Sequence, residues 1–369
     1  MRVIHVTGSA KISTFGTEKE AIDLAIAQKA HGYNVVVAME SPGVFMATCR
    51  RHGVPVVTRS GLGLPLEGAD ESAKEASIRD FMEYIAAFKP DIVHCHSGNA
   101  ELVAIPASNR ANVPCVFTNG IAEVAINNWE NGLRAAAICI NTATFAKLKN
   151  DPMGMGVYYV PNGTKAMPPT KARQTGAAHP PNLVLAGIME HSKGVDIAIL
   201  AMVELRRRLG RDCPVLNIYG DGPDREFLAS MAAVLELNDV IRFHGFKPGI
   251  LEHCPSTDIF VLTSRLEAGP LVVLEALSRG MPIVTSDVGD VSEMLPDDRY
   301  GRIIPRNAIV AMADAVESLL TDISNGQFNP DLLIERHYSL YSFEKWAERT
   351  AEVYKQILLD SAAAVRQAR

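Results

Sequence analysis

The stretch TSRLEAGPLVVLEALSRGMPIVTS (263–286) places two glutamates, Glu267 and Glu275, in a largely apolar run. A carboxylate in such a run is costly unless it is paired, hydrogen-bonded or used on a ligand. The preceding DIFVLTS (258–264) reads as a strand, and GPLVVLEALSRG reads as a helix with Pro270 at its first position and Gly280 at its end. Glu267 then falls in the strand-to-helix turn and Glu275 on the second helical turn. The free backbone N–H groups along Ala268, Gly269, Pro270, Leu271 and Val272 (proline itself has none) make an anion-binding helix N-terminus. A carboxylate beside an anion site is useful when it binds hydroxyls, as on a sugar or a ribose. The plainer alternative is a loop carboxylate at 267 and a solvated helix position at 275.

Other residues could do chemistry at the ends of strands. Lys193, in GIMEHSKGVD (187–196), is a cation at a helix start, where the alternative is a solvated lysine. His94 and His96 share one strand face by period two, with His96 at the carboxyl end. A metal reading of this H-x-H lacks an evident third ligand; a structural histidine or a cleft residue touching a ligand are the readings that stand. Gly16 suits a close approach to a ligand, or simply a helix-start turn. Asn119 lies in CVFTNGIAEV (115–124), where Asn-Gly is also a turn signal.

The elements that must hold these residues follow from the pattern. Short apolar runs alternate with helix-length segments throughout. The strand candidates are 2–7, 34–39, 54–58, 91–96, 114–118, 136–141 and 157–161, then 182–187, 214–220, 240–245, 258–264 and 281–286. Strands alternating with helices imply parallel sheets covered on both faces. The proline- and glycine-rich segment 163–182 breaks the rhythm and reads as a linker. An α/β protein of two Rossmann-like doubly wound domains facing a central cleft is therefore expected, with residues 1–165 and 166–341 as the domains. The helix 342–360, with Phe343, Trp346, Thr350, Val353 and Ile357 on one face, is expected to pack back on the first.

Composition excludes several classes. The 369 residues carry a net charge of −6, all of it from the part beyond residue 165, where 27 acidic face 21 basic side chains. No basic domain exists to neutralise phosphates, so nucleic acid is not an expected partner. Six scattered cysteines without a CxxC pair argue for reduced thiols. No apolar run reaches membrane-spanning length and the N-terminus lacks a signal-peptide pattern. A cytoplasmic protein is expected, with a peripheral contact at the inner membrane face left open.

The E-x7-E pair followed by GMPIVTSDVGDVSEML resembles the signature of retaining GT-B glycosyltransferases, most similar to family 4. GIMEHSKGVD, YGDGPDREFLASMA, VIRFHGF and VPNGT resemble that family's other segments in order, as do FGTEKEAIDLAIAQKAHGYNVVV and PDIVHCHS nearer the N-terminus. The resemblance implies a nucleotide-sugar donor held mainly by the second domain. Glu275 would bond the ribose hydroxyls, Glu267 the donor sugar, and Lys193 the diphosphate, with the backbone near Phe246 at the base. It also implies a retaining, metal-independent transfer to a hydroxyl acceptor, a glycan or lipid-linked intermediate of polysaccharide assembly; no D-x-D triplet occurs. No cofactor is expected.

Two positions depart from the family. Ile188 stands where an arginine usually partners the lysine, and Arg265 is the candidate replacement. Asn119 stands where a histidine is common near the reacting centre; it can bond a sugar hydroxyl but cannot accept a proton as imidazole does. These departures keep a catalytically degenerate nucleotide-sugar-binding subunit as an alternative, with a nucleotide-sugar epimerase or hydrolase behind it.

Overall fold

The computed structural model describes residues 1–8, 15–41, 45–64, 70–96, 98–120, 135–150, 156–167 and 181–367. The chain divides into two compact units. Unit 1 comprises Met1–Gly163 with Phe343–Arg369, and unit 2 is Thr164–Ser342. Most of the expected linker, 168–180, lies outside the described residues.

Unit 1 is a seven-stranded sheet of β1 (Arg2–Val6), β2 (Asn34–Met39), β3 (Val56–Thr58), β4 (Ile92–Cys95), β5 (Cys115–Asn119), β6 (Ala136–Cys139) and β7 (Val157–Tyr159). Its order is β3-β2-β1-β4-β5-β6-β7, every pair parallel. The helices are α1 (Phe15–Ala30), α2 (Met46–Arg51), α3 (Glu71–Phe88), α4 (Gly98–Arg110) and α5 (Thr142–Leu148). Two of them start with ordinary capping chemistry. Asp70 accepts the N–H groups of Ser72 and Ala73 ahead of α3, and Asn141 accepts that of Thr144 ahead of α5. Alternate strand residues face opposite layers: Ile4 and Val6 pack with Phe81, Ile85 and Phe117, while Val3 packs with Ile22, Ile26 and Val116. The long helix from 343 to 367 (α12, below) returns to this second layer through Trp346, Val353, Tyr354 and Ile357.

Unit 2 repeats the plan with β8 (Leu183–Ala186), β9 (Leu216–Tyr219), β10 (Ile241–Phe243), β11 (Ile259–Leu262), β12 (Ile283–Ser286) and β13 (Arg302–Ile304). The order is β10-β9-β8-β11-β12-β13, again parallel throughout. Around it lie α6 (Val195–Leu209), α7 (Arg225–Val234), α8 (Leu271–Ser278), α9 (Val291–Met294), α10 (Ile309–Ser324) and α11 (Pro330–Leu340); α12 is Phe343–Gln367. All twelve expected strands are present. The sequence pattern missed β13, whose three residues R-I-I at the sheet edge are too short for a period to register. Pro270 caps α8 from outside, in extended conformation, so the helix begins one residue later than expected. Among the described residues no helix is long and apolar enough to cross a membrane.

Each sheet reverses its strand order once, between β1 and β4 in unit 1 and between β8 and β11 in unit 2. In doubly wound sheets ligands bind outside the carboxyl ends of strands at such a switch point.

Candidate active site

The switch point of unit 2 brings the loops after β8 and β11 together. After β8 the chain makes a single 3-10 turn, His191–Lys193, then passes through Gly194 into α6. After β11 it runs through Thr263 and Ser264, both buried, to Glu267 and the start of α8. The two loops touch backbone to backbone. Gly194 has φ +61°, and a Cβ there would lie 2.1 Å from the Thr263 carbonyl oxygen. Thr263 Oγ1 donates to the Gly194 carbonyl at 2.8 Å, and Arg265 N–H donates to the Ser192 carbonyl at 2.7 Å.

These contacts place Lys193 against Glu267. Lys193 Nζ donates to Glu267 Oε1 at 2.9 Å, and Ser264 Oγ donates to the same oxygen at 2.8 Å. Both charged side chains keep some exposure, 26% for Lys193 and 15% for Glu267, so the pair faces outward from its loops. Ala268 and Gly269 follow, half-buried, and then Pro270, buried; Leu271, Val272 and Glu275 are half-buried along the first turns of α8. Gly289 (φ +55°), after β12, packs against this turn so closely that a Cβ would lie 2.6 Å from the Ala268 carbonyl oxygen. The expected residues of this loop pair are thus adjacent.

Arg265 lies in the same loop but not as a free cation. Its Nη1 and Nη2 grip the two carboxylate oxygens of Asp196 at 2.9 and 2.6 Å, and Nη1 also donates to the His191 carbonyl at 2.7 Å. Burial pushes the Asp196 carboxyl up, but the bonds and charge of Arg265 outweigh it and hold it below the usual range. Asp196, three residues after Lys193, was not singled out by sequence, although an acid in the first turn of α6 was visible there. Phe246 follows β10 with its ring 52% exposed, beside His244, whose ring stacks on Tyr219 at 4.5 Å.

The candidates in unit 1 lie deeper. The carboxyl ends of β1, β4, β5, β6 and β7 carry Thr7, His96, Asn119, Asn141 and Asn162, each at least 95% buried. Asn119 ends β5, and its carbonyl accepts the Ile140 N–H at 3.2 Å. Gly16 is the second residue of α1, exposed, with open space where a Cβ would stand. It therefore belongs to the helix start rather than to a preceding loop; residues 9–14 lie outside the described residues.

His96 is not at the surface. His5 completes a group with His94 and His96 whose donor atoms all lie within 4.8 Å, so the third ligand that the H-x-H lacked in sequence exists in the fold. The ring nitrogens are largely occupied by one another and by neighbours. His5 meets His96 Nε2 at 2.9 Å and Gln28 Oε1 at 3.0 Å; His94 meets Tyr354 Oη at 2.6 Å and Thr118 Oγ1 at 2.8 Å. Gln28 Oε1 can only accept, so His5 carries its proton on Nε2, Nδ1 accepts from His96 Nε2, and His96 Nδ1 is left as an acceptor. That nitrogen faces Glu20 Oε1 at 3.9 Å. Burial pushes the Glu20 carboxyl up to about 8, against the Asn162 bond that lowers it. Burial, reinforced for His5 by His96, lowers His5 and His96 to about 3. These are neutral imidazoles beside a protonated acid.

The fold and the paired loops define a class, and comparison with known proteins places the chain in it. Residues 169–327 match the family described as Glycosyl transferases group 1, and residues 15–137 match the Glycosyl transferase 4-like domain. A glycogen synthase of Mycobacterium tuberculosis is 27% identical over 349 residues, covering 88% of this chain and 80% of that protein. An alpha-D-kanosaminyltransferase of Streptomyces kanamyceticus is 33% identical over 48% of this chain and 46% of its own. Among solved structures, Anabaena Alr3699/HepE in complex with UDP and glucose superposes with TM-score 0.78 at 18% identity, covering 96% of this chain and 99% of that one. The chain belongs to the family 4-like glycosyltransferases of the GT-B fold.

Proposed function

We propose that this glycosyltransferase takes a sugar from a nucleoside-diphosphate sugar of UDP or GDP type and transfers it, with retention at the anomeric carbon and without a metal, to a hydroxyl acceptor. The acceptor class is a glycan or a lipid-linked intermediate of polysaccharide assembly. The observation that carries the reading is the Lys193–Glu267 pair, 2.9 Å apart, beside the N-terminus of α8 at the switch point of unit 2. It offers a cation and free amides to an anion, and a carboxylate to hydroxyls, where two loops meet.

The chemistry follows from these groups. Breaking the bond between the anomeric carbon and the diphosphate oxygen leaves negative charge on the departing phosphate. Lys193 and the amides at the start of α8 stabilise that charge. As Lys193 turns to the phosphate it releases Glu267, whose carboxylate then accepts hydrogen bonds from the donor sugar. Glu275, one turn and more along α8, takes the ribose hydroxyls, and the backbone near Phe246 meets the base. Asn119 cannot take a proton; the departing phosphate accepts the one released by the acceptor hydroxyl. Arg265, already held by Asp196, is not assigned to the donor.

A thermal-shift panel of UDP, GDP, ADP, TDP and their common sugars, run in EDTA with wild type beside Glu275→Ala, tests this. HepE's complex with UDP puts uridine first in the panel. Ligand at about a hundred times its dissociation constant stabilises by roughly 2.7 kcal/mol. The expected result is a shift with one base, lost in the variant, after which the anomer formed from the matching sugar is read by NMR. No shift with any nucleotide would move the reading to a degenerate member of the fold.

A further inference from the structure

We propose that Arg265 acts as a positioning residue: its bidentate pair with Asp196 and its bond to the His191 carbonyl hold the 191–196 segment so that Lys193 stays on Glu267 and is presented to the departing diphosphate. The inference rests on the donor-site reading above and assigns a role to two residues that it leaves out. In sequence Arg265 is the candidate replacement for the arginine absent at Ile188. The geometry gives it another task.

The guanidinium has five N–H donors in a fixed planar fork. Two of them match the Asp196 carboxylate oxygen for oxygen, and a third reaches the His191 carbonyl. Planar two-point pairing of this kind fixes direction as well as distance. The residues it grips, His191 and Asp196, bracket Lys193 on either side. Arg265 is itself anchored, because its own N–H donates to the Ser192 carbonyl. Together with Thr263 on Gly194, the β11 loop thus holds the β8 loop at residues 191, 192, 194 and 196. Lys193 is the residue inside that grip whose side chain crosses back, to Glu267. A diphosphate oxygen reaching Arg265 would have to compete with a carboxylate already gripped at two points, whereas Lys193 is held by a single bond and is free to turn.

The two roles predict opposite behaviour of Asp196. If Arg265 is a direct phosphate ligand, Asp196→Asn frees it, and nucleoside-diphosphate affinity holds or rises. If it positions Lys193, then Asp196→Asn, Arg265→Ala and the double variant all lose affinity for UDP by a similar factor, on the order of tenfold. The double variant is then no worse than either single one, as expected for two residues that act as one unit. Affinity for UMP, which lacks the second phosphate, stays at the wild-type value in all three; a loop that had merely unfolded would lose both ligands. Circular dichroism and melting confirm the fold of each variant, and Arg265→Lys, which keeps the charge but not the fork, is expected to lose as Ala does.

A second readout needs no nucleotide. Reductive methylation with 13C-formaldehyde labels Lys193, whose dimethylamine resonance is identified by its loss in Lys193→Arg. In Asp196→Asn and Arg265→Ala that resonance is expected to shift to the same, solvent-like position. An unmoved resonance in both variants would overturn the clamp whatever nucleotides do. A moved resonance in a protein that binds no nucleotide would leave the clamp standing and sink the donor-site reading instead.

Discussion

Glu20 is a carboxyl buried at 6% exposure on α1, beside Asn162 and facing His96. Burial raises it to about 8 from 4.5, so in the folded chain it keeps its proton long after an unfolded glutamate has lost one. Stability from this group is therefore complete below pH 4.5 and is lost as pH rises through 8. His5 and His96 run the other way. Held at about 3, they resist the proton that the unfolded chain takes up below 6.5, so their stability is complete above 6.5 and is lost as pH falls. His94, also lowered by burial and by both neighbours, adds to the acid side. Stability should peak near pH 6.5, fall steeply into acid and decline more gently toward pH 8. Each unmatched proton contributes a slope of about 1.4 kcal/mol per pH unit. Glu20→Gln, which keeps the shape without the titration, should flatten the alkaline limb and steepen the acid limb between pH 4.5 and 6.5, where the Glu20 proton opposes those of the histidines. Urea unfolding across pH 4–9 measures both; an unchanged alkaline limb would mean that Glu20 is ionised in the fold. None of this could be read from sequence. H-x-H was visible, but its partners His5, Gln28 and Tyr354 come from two other helices and another strand, the last 260 residues from His94.

At the level of elements the candidate site was legible where it is local. Glu267 and Glu275 are fixed by one strand-turn-helix, and Lys193 by another, so pattern alone located all three near strand ends. What joins the two loops is not local. The Gly194–Thr263 contact and the Arg265–Asp196 pair span about seventy positions. Sequence offered Arg265 as a spare cation because nothing in the string pairs it with Asp196. Gly194 makes the dependence testable. Its φ of +61° is costly for any other residue, and a Cβ would fall 2.1 Å from a backbone oxygen, which cannot swing away as a side chain would. Gly194→Ala should destabilise unit 2 by at least roughly 1–3 kcal/mol. It should also weaken nucleotide binding by separating Lys193 from Glu267. Ala at Gly249, whose φ of +65° and ψ of +26° nearly match those of Gly194 and where a Cβ meets only the Glu252 side chain at 3.6 Å, is the control for backbone strain alone. Equal melting temperatures for the two variants would show that the loops do not depend on this contact.

At the scale of the molecule the two units are built alike but closed differently. Unit 2 is one continuous segment, 164–342, with apolar layers on both faces of its sheet that draw only on its own residues. Unit 1 is discontinuous: its second layer is completed by α12, which arrives after the whole of unit 2 has intervened. The alternation of strands and helices made two parallel sheets legible, and the apolar stripe of α12 was equally plain. Which layer that stripe covers depends on contacts across the length of the chain. Trp346, Val353, Tyr354 and Ile357 are each at least 93% buried there, and Tyr354 Oη meets His94 Nδ1. Losing such large side chains strips one face of the sheet, at a cost of several buried-residue equivalents of roughly 1.5–3 kcal/mol each. Residues 164–342 made alone should therefore unfold cooperatively and bind the nucleotide that the full chain selects, without transferring sugar. Residues 1–163 alone should fail to reach a cooperative fold, and joining 343–369 to them through a flexible linker should restore one. Because that helix must be brought back across 179 intervening residues, its docking adds a large loop closure. Refolding of the full chain should accordingly show unit 1 completing after unit 2, read by the burial of Trp346 against a probe placed in unit 2. Cooperative melting of 1–163 without α12 would contradict this order and make the C-terminal helix an accessory to the first sheet rather than part of its core.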